Sequence, residues 1–363
     1  MRKLSALCIA LALFLLTACV GGTASNLRAT ASPTLLAVNG FGSQTNHVHS
    51  LIMLPDEQQT LLLATHDGIF RSQDHGTTWK QTAAGPDQLM QGLMTYSLSY
   101  NPLNPQRLYV LTQIATAAHV GTLGLYTSGN GGQTWQLALP DTAVPSGSMF
   151  FAQAGNDVAD QVYIYINDLG PLGLRVSADN GQHFAQAGST LPFSNILGLL
   201  PIPGEPGHLL IYGNNGIART TDDGQHWQIV NAIQGGIFEM TTSGSQKPIY
   251  AEGDAGVYVS HDDGQTFTLV YTQHAYASLT ASPTQPQIVY GKLGLGIYRS
   301  TDGGQNWSEM PTITNNQQAL VGAVLVADPT VARQVYLALS YPITVYHFQS
   351  SSNSWQSITP AVR

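Results

Sequence analysis

The chain has 363 residues, only 9% of them charged, and a formal net charge of −8. No run of Lys and Arg is present to neutralise phosphates, which excludes nucleic acid as a partner class. The two cysteines, Cys8 and Cys19, both lie near the N-terminus, so the remaining chain offers no disulfide, zinc-thiolate site or cysteine nucleophile. About 340 residues are enough to build a core without them.

At the start, Arg2 and Lys3 precede an apolar run that ends in Leu16-Thr17-Ala18-Cys19. A basic start, a short apolar stretch and small residues at its end make a secretory signal. The last four residues resemble the bacterial lipobox, in which cleavage leaves a lipidated N-terminal cysteine. The expected order is a signal peptide over 1–18, a small, polar, flexible tether over 19–33 opened by lipidated Cys19, and one domain over 34–363. An ordinary signal peptide and an uncleaved anchor helix are the alternatives. The lipoprotein reading puts the domain on a membrane, at the bacterial cell surface or in the periplasm. No later stretch is long and apolar enough to cross as a helix.

After an apolar segment at 34–39, the chain settles into a repeat. The first unit reads HVHSLIMLP, TLLLATHDGIFRS, SQDHGTTW and WKQT, or strand, turn, strand, Gly68, strand, hairpin, strand. The octet Ser72–Trp79 returns at Ser128, Ser177, Thr220, Ser260 and Ser300, and its closing aromatics fall 40 to 56 residues apart. A seventh copy, ending at Trp355, lacks the Asp and Gly. Four short strands per unit predict propeller blades, all-β and seven in number. They span about 47–82, 93–139, 148–187, 195–230, 235–271, 275–311 and 318–358.

The octet resembles the Asp-box, or BNR, repeat of seven-bladed β-propellers, and the resemblance covers most of the chain. In the box, Asp74 is expected to accept hydrogen bonds from the turn, Gly76 to take positive φ, and Trp79 to open the outer strand. Asp179, Asp222, Asp262 and Asp302 take the same structural role, and Asn130 keeps it without the charge. His75, His183, His226 and His261 are read as solvated residues at variable turn positions.

A site is expected on the face opposite the boxes, here called the upper face. His47, His49, His66 and Asp67 of blade 1 form its densest ionisable group, readable as a divalent-metal site, an acid/base cluster or packed structural side chains. His119, Asp168, Asn214, Asn215, Glu239, Glu252, Asp254, His274, Lys292 and Tyr341 come to the same face. The resemblance extends to bacterial proteins labelled glycosyl hydrolases, through the HVHSL and ATHDG stretches, with Ser50 in place of a Gly. Asp67, Glu239, Glu252 and Asp254 would then be the candidate carboxylates, with His66 as acid/base. It extends also to sialidases, whose three-arginine clamp and Arg-Ile-Pro motif are missing here. More distantly, the chain is similar to photosystem II stability/assembly factors and sortilin-type propellers. The preferred expectation is a monomeric binding or assembly module for a cell-surface protein or carbohydrate, with a glycoside hydrolase as the alternative. No cofactor is certain, beyond the metal the blade 1 histidines suggest.

Replacing Cys19 with Ala is expected to move the protein from the membrane fraction to the soluble one and to abolish its lipid mass increment. Unchanged membrane association in that variant would refute the anchor.

Overall fold

Every residue of Leu61–Thr65 and Gly68–Ser72 is buried, whereas in Lys80–Ala83 only Ala83 is. Strands buried on both faces must be sandwiched between neighbours, and a strand wet on one side must lie at a rim. The computed structural model describes residues 40–41, 43–56, 59–144, 149–244, 248–273, 278–313 and 322–359, all within one unit. The expected signal peptide, tether, Cys19 and the apolar segment at 34–39 lie outside them. So do His274 and the blade limits at 148, 275 and 318.

Seven antiparallel sheets of four strands each account for the described strands. Blade 1 is β1 (Val48–Met53), β2 (Leu61–Thr65), β3 (Gly68–Ser72) and β4 (Lys80–Ala83), hydrogen-bonded in that order. The other six blades repeat this order, each from one continuous stretch of chain. First strands of successive blades meet around the axis, and that of blade 7 (Val324–Ala327) meets β1. The ring therefore closes by packing. At this seam Phe41, Leu51, Leu63 and Phe70 share a core with Tyr336, Ala338 and Val345 of blade 7. Among the described residues no helix is long and apolar enough to cross a membrane.

The innermost strands are sheet edges, so their N–H groups need acceptors from elsewhere. The preceding blade supplies them. Ala152 and Ala154 of blade 3 donate to Ser97 Oγ and Ser99 Oγ of blade 2, at 2.8 and 3.0 Å. Ala327 of blade 7 donates to Thr280 Oγ1 at 3.0 Å, and Val48 of blade 1 to Ser340 Oγ at 3.1 Å. Leu279 of blade 6 donates to a carboxylate, Glu239 Oε2, at 2.9 Å.

The boxes close the hairpins between third and fourth strands on the lower face. Ser72 Oγ donates to Asp74 Oδ1 (2.8 Å) and accepts from the Gly76 N–H (2.9 Å). Thr78 donates to Asp74 twice, through its N–H at 2.8 Å and its hydroxyl at 2.6 Å. Trp79 Nε1 returns to the Gly76 carbonyl at 2.8 Å. Asn130 repeats the pattern with Ser128, Gly132 and Thr134, as expected of an uncharged stand-in.

Two box histidines differ from the sequence reading. His183 and His226 stand where Thr78 stands in the first box, and each sets its Nδ1 2.6 Å from its own aspartate. They are exposed, yet they are part of the clip. The position held by His75 is also less free than its variety suggests. His75, Asn180, Asp223 and Asp263 all have φ between 55° and 64°, and Gly131 and Gly303 fill the place elsewhere. Only residues that tolerate the left-handed region recur there.

The arginines before the boxes tie neighbouring boxes together. Arg71 Nε donates to the Gly131 carbonyl (2.7 Å) and Arg219 Nε to that of Asp263 (2.9 Å), each in the next blade's box. Arg299 lies over the Phe348 ring of blade 7, 5.9 Å from its centroid. These arginines hold the lower face and are not a carboxylate clamp.

Hydrogen bonds hold the box carboxylates below their usual range. For Asp179 the His183 N–H leads, followed by Ser177. At Asp74 burial pushes upward, and the combined bonds from Thr78, Ser72 and Thr77 outweigh it. A depressed carboxylate stabilises the fold above its unfolded pKa, and that contribution is lost as pH falls through the folded value. Thermal stability should therefore drop steeply below about pH 4, where unfolded Asp takes up its proton. Asp74→Ala should cost about 1 kcal/mol at neutral pH, with Asp74→Asn much closer to the parent. Melting curves of both variants across the acid range check this.

Candidate functional site

β1 enters from the upper face, and its first turn of sheet is irregular. Val48 pairs with Thr65 and Ser50 with Ala64, so His49 is an extra residue, a bulge. Bulges re-aim side chains. This one lets His47 and His49 touch, with ring centroids 4.5 Å apart and planes at 75°. His66 arrives from the β2–β3 turn and stacks on His47 at 5.0 Å. Tyr341, from the corresponding turn of blade 7, stacks on the same ring at 5.2 Å and is 44% exposed. The cluster straddles the seam where the ring closes.

Hydrogen bonds fix the imidazoles. A carbonyl can only accept, so His49 Nδ1–H donates to Thr95 O (2.7 Å) and His47 Nδ1–H to Thr45 O (3.3 Å). The Nε2 atoms of the neutral rings are then acceptors. His66 Nδ1 is buried without a hydrogen-bond partner among the described residues. Burial pushes His49 down to about 4, against the Thr95 bond that favours its cation. Burial lowers His47 too, with the neighbouring His66 adding to it. Asp67 is raised by burial, which outweighs the pull of His66 and His47. Its N–H is held by Asn46 Oδ1 at 3.0 Å.

The gathering matches one part of the sequence reading and departs from another. His47, His49, His66 and Asp67 do meet on the upper face. The rings pack face to face or edge to face, however, whereas a tetrahedral metal needs lone pairs that converge. Among the described residues no group of three or more His, Cys, Asp or Glu is arranged to hold a metal ion. His119 sits apart from this stack in the blade 2 loop, with its Nδ1 3.2 Å from Thr116 O and no ring contact to the cluster among the described residues.

The blade 5 carboxylates have other duties. Glu239 and Glu252 are direct partners across the first two strands of that blade. Both are held above the usual range, foremost by burial, and Glu252 also by the charge of Glu239. Glu239 Oε2 is taken by the N–H of Leu279 in the next blade. Asp254 Oδ2 accepts from the Gly236 N–H at 2.8 Å. Asp168 is exposed in the blade 3 turn, and Lys292, at the register of Glu252, is buried in blade 6.

Sequence reasoning missed two residues. The bulge of β1 recurs in the first strands of blades 3, 4 and 5, where Phe150, Leu197 and Phe238 are the extra residues. Phe150 and Phe238 are 45% and 38% exposed at the upper ends of innermost strands. The signal was present in the doubled apolar pairs Phe150-Phe151 and Ile237-Phe238, which break the period of two.

Protonation of His49 is disfavoured in the fold and free in the unfolded chain. Its neutral packing therefore contributes in full above about pH 6.5 and is lost as pH falls toward about 4, by up to about 3 kcal/mol. His49→Gln should flatten the fall in stability across that window. An unchanged slope in urea unfolding between those pH values would rule His49 out as its source.

Comparison with known proteins agrees with this architecture. The model of the BNR/Asp-box repeat matches residues 298–309. No curated protein sequence is a significant match. Among solved structures, the GH74 enzyme of Niastella koreensis is similar at 15% identity and TM-score 0.70, over 90% of this chain and 55% of that one. The GH74 xyloglucanase of Xanthomonas campestris is similar at 15% identity and TM-score 0.66, with the same coverage. YCF48 bound to D1 peptide is similar at 14% identity and TM-score 0.54, over 82% of this chain and 95% of that one. The chain spans about half the length of the GH74 enzymes it matches. At such identities the likeness is one of fold: the chain is a seven-bladed β-propeller of four-stranded blades carrying the Asp-box repeat.

Proposed function

We propose that the protein is an extracytoplasmic recognition propeller, anchored through lipidated Cys19, that binds its partner on the upper face around the seam between blades 7 and 1. The observation that carries this reading is the stack of His47, His49, His66 and Tyr341. It sets the exposed Tyr341 ring over half-buried imidazoles at the upper end of the seam. Aromatic rings with a polar edge are favoured anchors at interfaces. A propeller of similar fold, YCF48, matched over 95% of its length, is described bound to a peptide, which favours binding over hydrolysis.

The glycoside hydrolase reading draws support from the GH74 likeness. A glycosidase needs two carboxyl groups flanking a cleft, with an acid on one side and a base or nucleophile on the other. Glu239 and Asp254 are each committed to a backbone N–H, and Glu252 is 2% exposed. Those commitments favour structural roles for Glu239 and Glu252. Xyloglucan incubated with the protein should release no new reducing ends. Release that disappears in Glu252→Gln would reinstate the enzyme.

The binding reading is tested by a photoreactive benzoylphenylalanine at Tyr341 and, separately, at exposed Gln305 on the lower face. Irradiated cells should yield a discrete adduct from the first position only. The adduct should vanish when His47, His49 and His66 are all replaced by Gln, with the melting temperature in the normal range. Adducts from Gln305 alone would move the site to the box face.

A further inference from the structure

The apolar surface of this ring is unevenly distributed. Among the described residues, twelve large apolar side chains are exposed, and eight of them belong to the upper face. Ile114 and Val120 stand in blade 2, Phe150 and Leu172 in blade 3, Phe238 in blade 5 and Leu295 in blade 6. Only Leu103 and Val158 lie in lower-face turns. Scattered exposed apolar residues need no explanation, but a concentration on one face marks an interaction surface. Two of these residues, Phe150 and Phe238, are there because the same bulge recurs in their strands.

The cations are segregated as well, whereas carboxylates occupy both faces, with the box aspartates on the lower one beside the arginines. Asp87, Asp168 and Asp254 are exposed on the upper face, and Asp67 and Asp141 are half-buried there. Lys292 is the one Lys or Arg that the described strand ends bring to this face, and it is only 8% exposed. The other described Lys and Arg residues belong to blade bodies, outer strands or the lower face. The Nε2 atoms of neutral His47 and His49 add acceptors and no donors. A surface of carboxylates and acceptors repels anionic polymers and anionic lipid headgroups. Its exposed apolar groups are mostly Phe, Leu, Ile and Val, suited to interdigitating with aliphatic side chains.

We infer that the upper face takes a polypeptide segment that is both cationic and apolar, with Lys or Arg set against Asp168 and Asp254 and apolar side chains against Phe150 and Phe238. This rests on the upper face being the docking face, as proposed above, and adds the chemistry of the partner.

The test uses the full-length chain and short fluorescein-labelled peptides of alternating Lys and Leu, Glu and Leu, or Lys and Ser, read by fluorescence anisotropy. The Lys–Leu peptide should bind at least about ten-fold more tightly than the other two, since both terms contribute. Phe150→Ser with Phe238→Ser, and Asp168→Asn with Asp254→Asn, should each weaken it about ten-fold. The phenylalanines are exposed, and Asp254→Asn retains a side-chain oxygen to accept from the Gly236 N–H, so both variants should melt as the parent does. Leu103→Ser with Val158→Ser, on the lower face, should leave binding unchanged. Equal or tighter binding of Glu–Leu that is still lost in the phenylalanine variant would overturn the cationic partner while leaving the docking face standing. Binding lost only in the Leu103 and Val158 variant would overturn both. If the Lys–Leu peptide does not bind, the partner class is wrong.

Discussion

A ring of antiparallel sheets leaves one strand edge in every blade facing the axis, and the rest of this structure depends on how those edges are satisfied. Elsewhere, a free edge can be covered by a helix or blunted with charge. Here the preceding blade reaches across with a hydroxyl, from Ser97, Ser99 or Thr280, to meet the next inner strand's N–H groups. Each such bond satisfies a donor that burial would otherwise make costly, and it also fixes the angle between blades. Hydrophobic packing between second and third strands then fills the wedge that this angle leaves.

That logic explains an anomaly in blade 5. Glu239 holds the register that Ser50 holds in blade 1, and both accept from the first strand of the next blade. A carboxyl in place of a hydroxyl brings a desolvation cost, and Glu252 beside it compounds that cost. Burial pushes both groups toward their protonated forms, and the charge of Glu239 pushes Glu252 further. A strongly shifted pKa can mark a functional site, but here the strain has a structural origin in the inter-blade bond.

What could be read from the residues divides along the range of the interactions. The box was legible as a hairpin clip, because Ser72, Asp74, Gly76 and Thr78 satisfy one another within a few residues, although the part His183 and His226 take in it was not. The blade count followed from it. Gathering of the blade 1 histidines was legible as well, since β1 and the β2–β3 turn are near in sequence. Their stacking was not, because it depends on the bulge at His49 and on Tyr341, which arrives from the far end of the chain. The duty of Glu239 was hidden for the same reason: its partner, Leu279, lies in the next blade. Phe150 and Phe238 left a trace in the doubled apolar residues, but only a paired register distinguishes a bulge from an ordinary buried strand.

The closure of the ring has a consequence for how such a molecule can change. Among the described residues no strand is exchanged between first and last blades, so the final seam is built like the others from packing and side-chain bonds. No joint is privileged, and a blade is one uninterrupted stretch of chain. Duplication or loss of a single stretch of coding sequence would therefore add or remove a whole blade without splitting any sheet. The diameter of the ring can in this way be inherited as a count, while the loops above it vary independently.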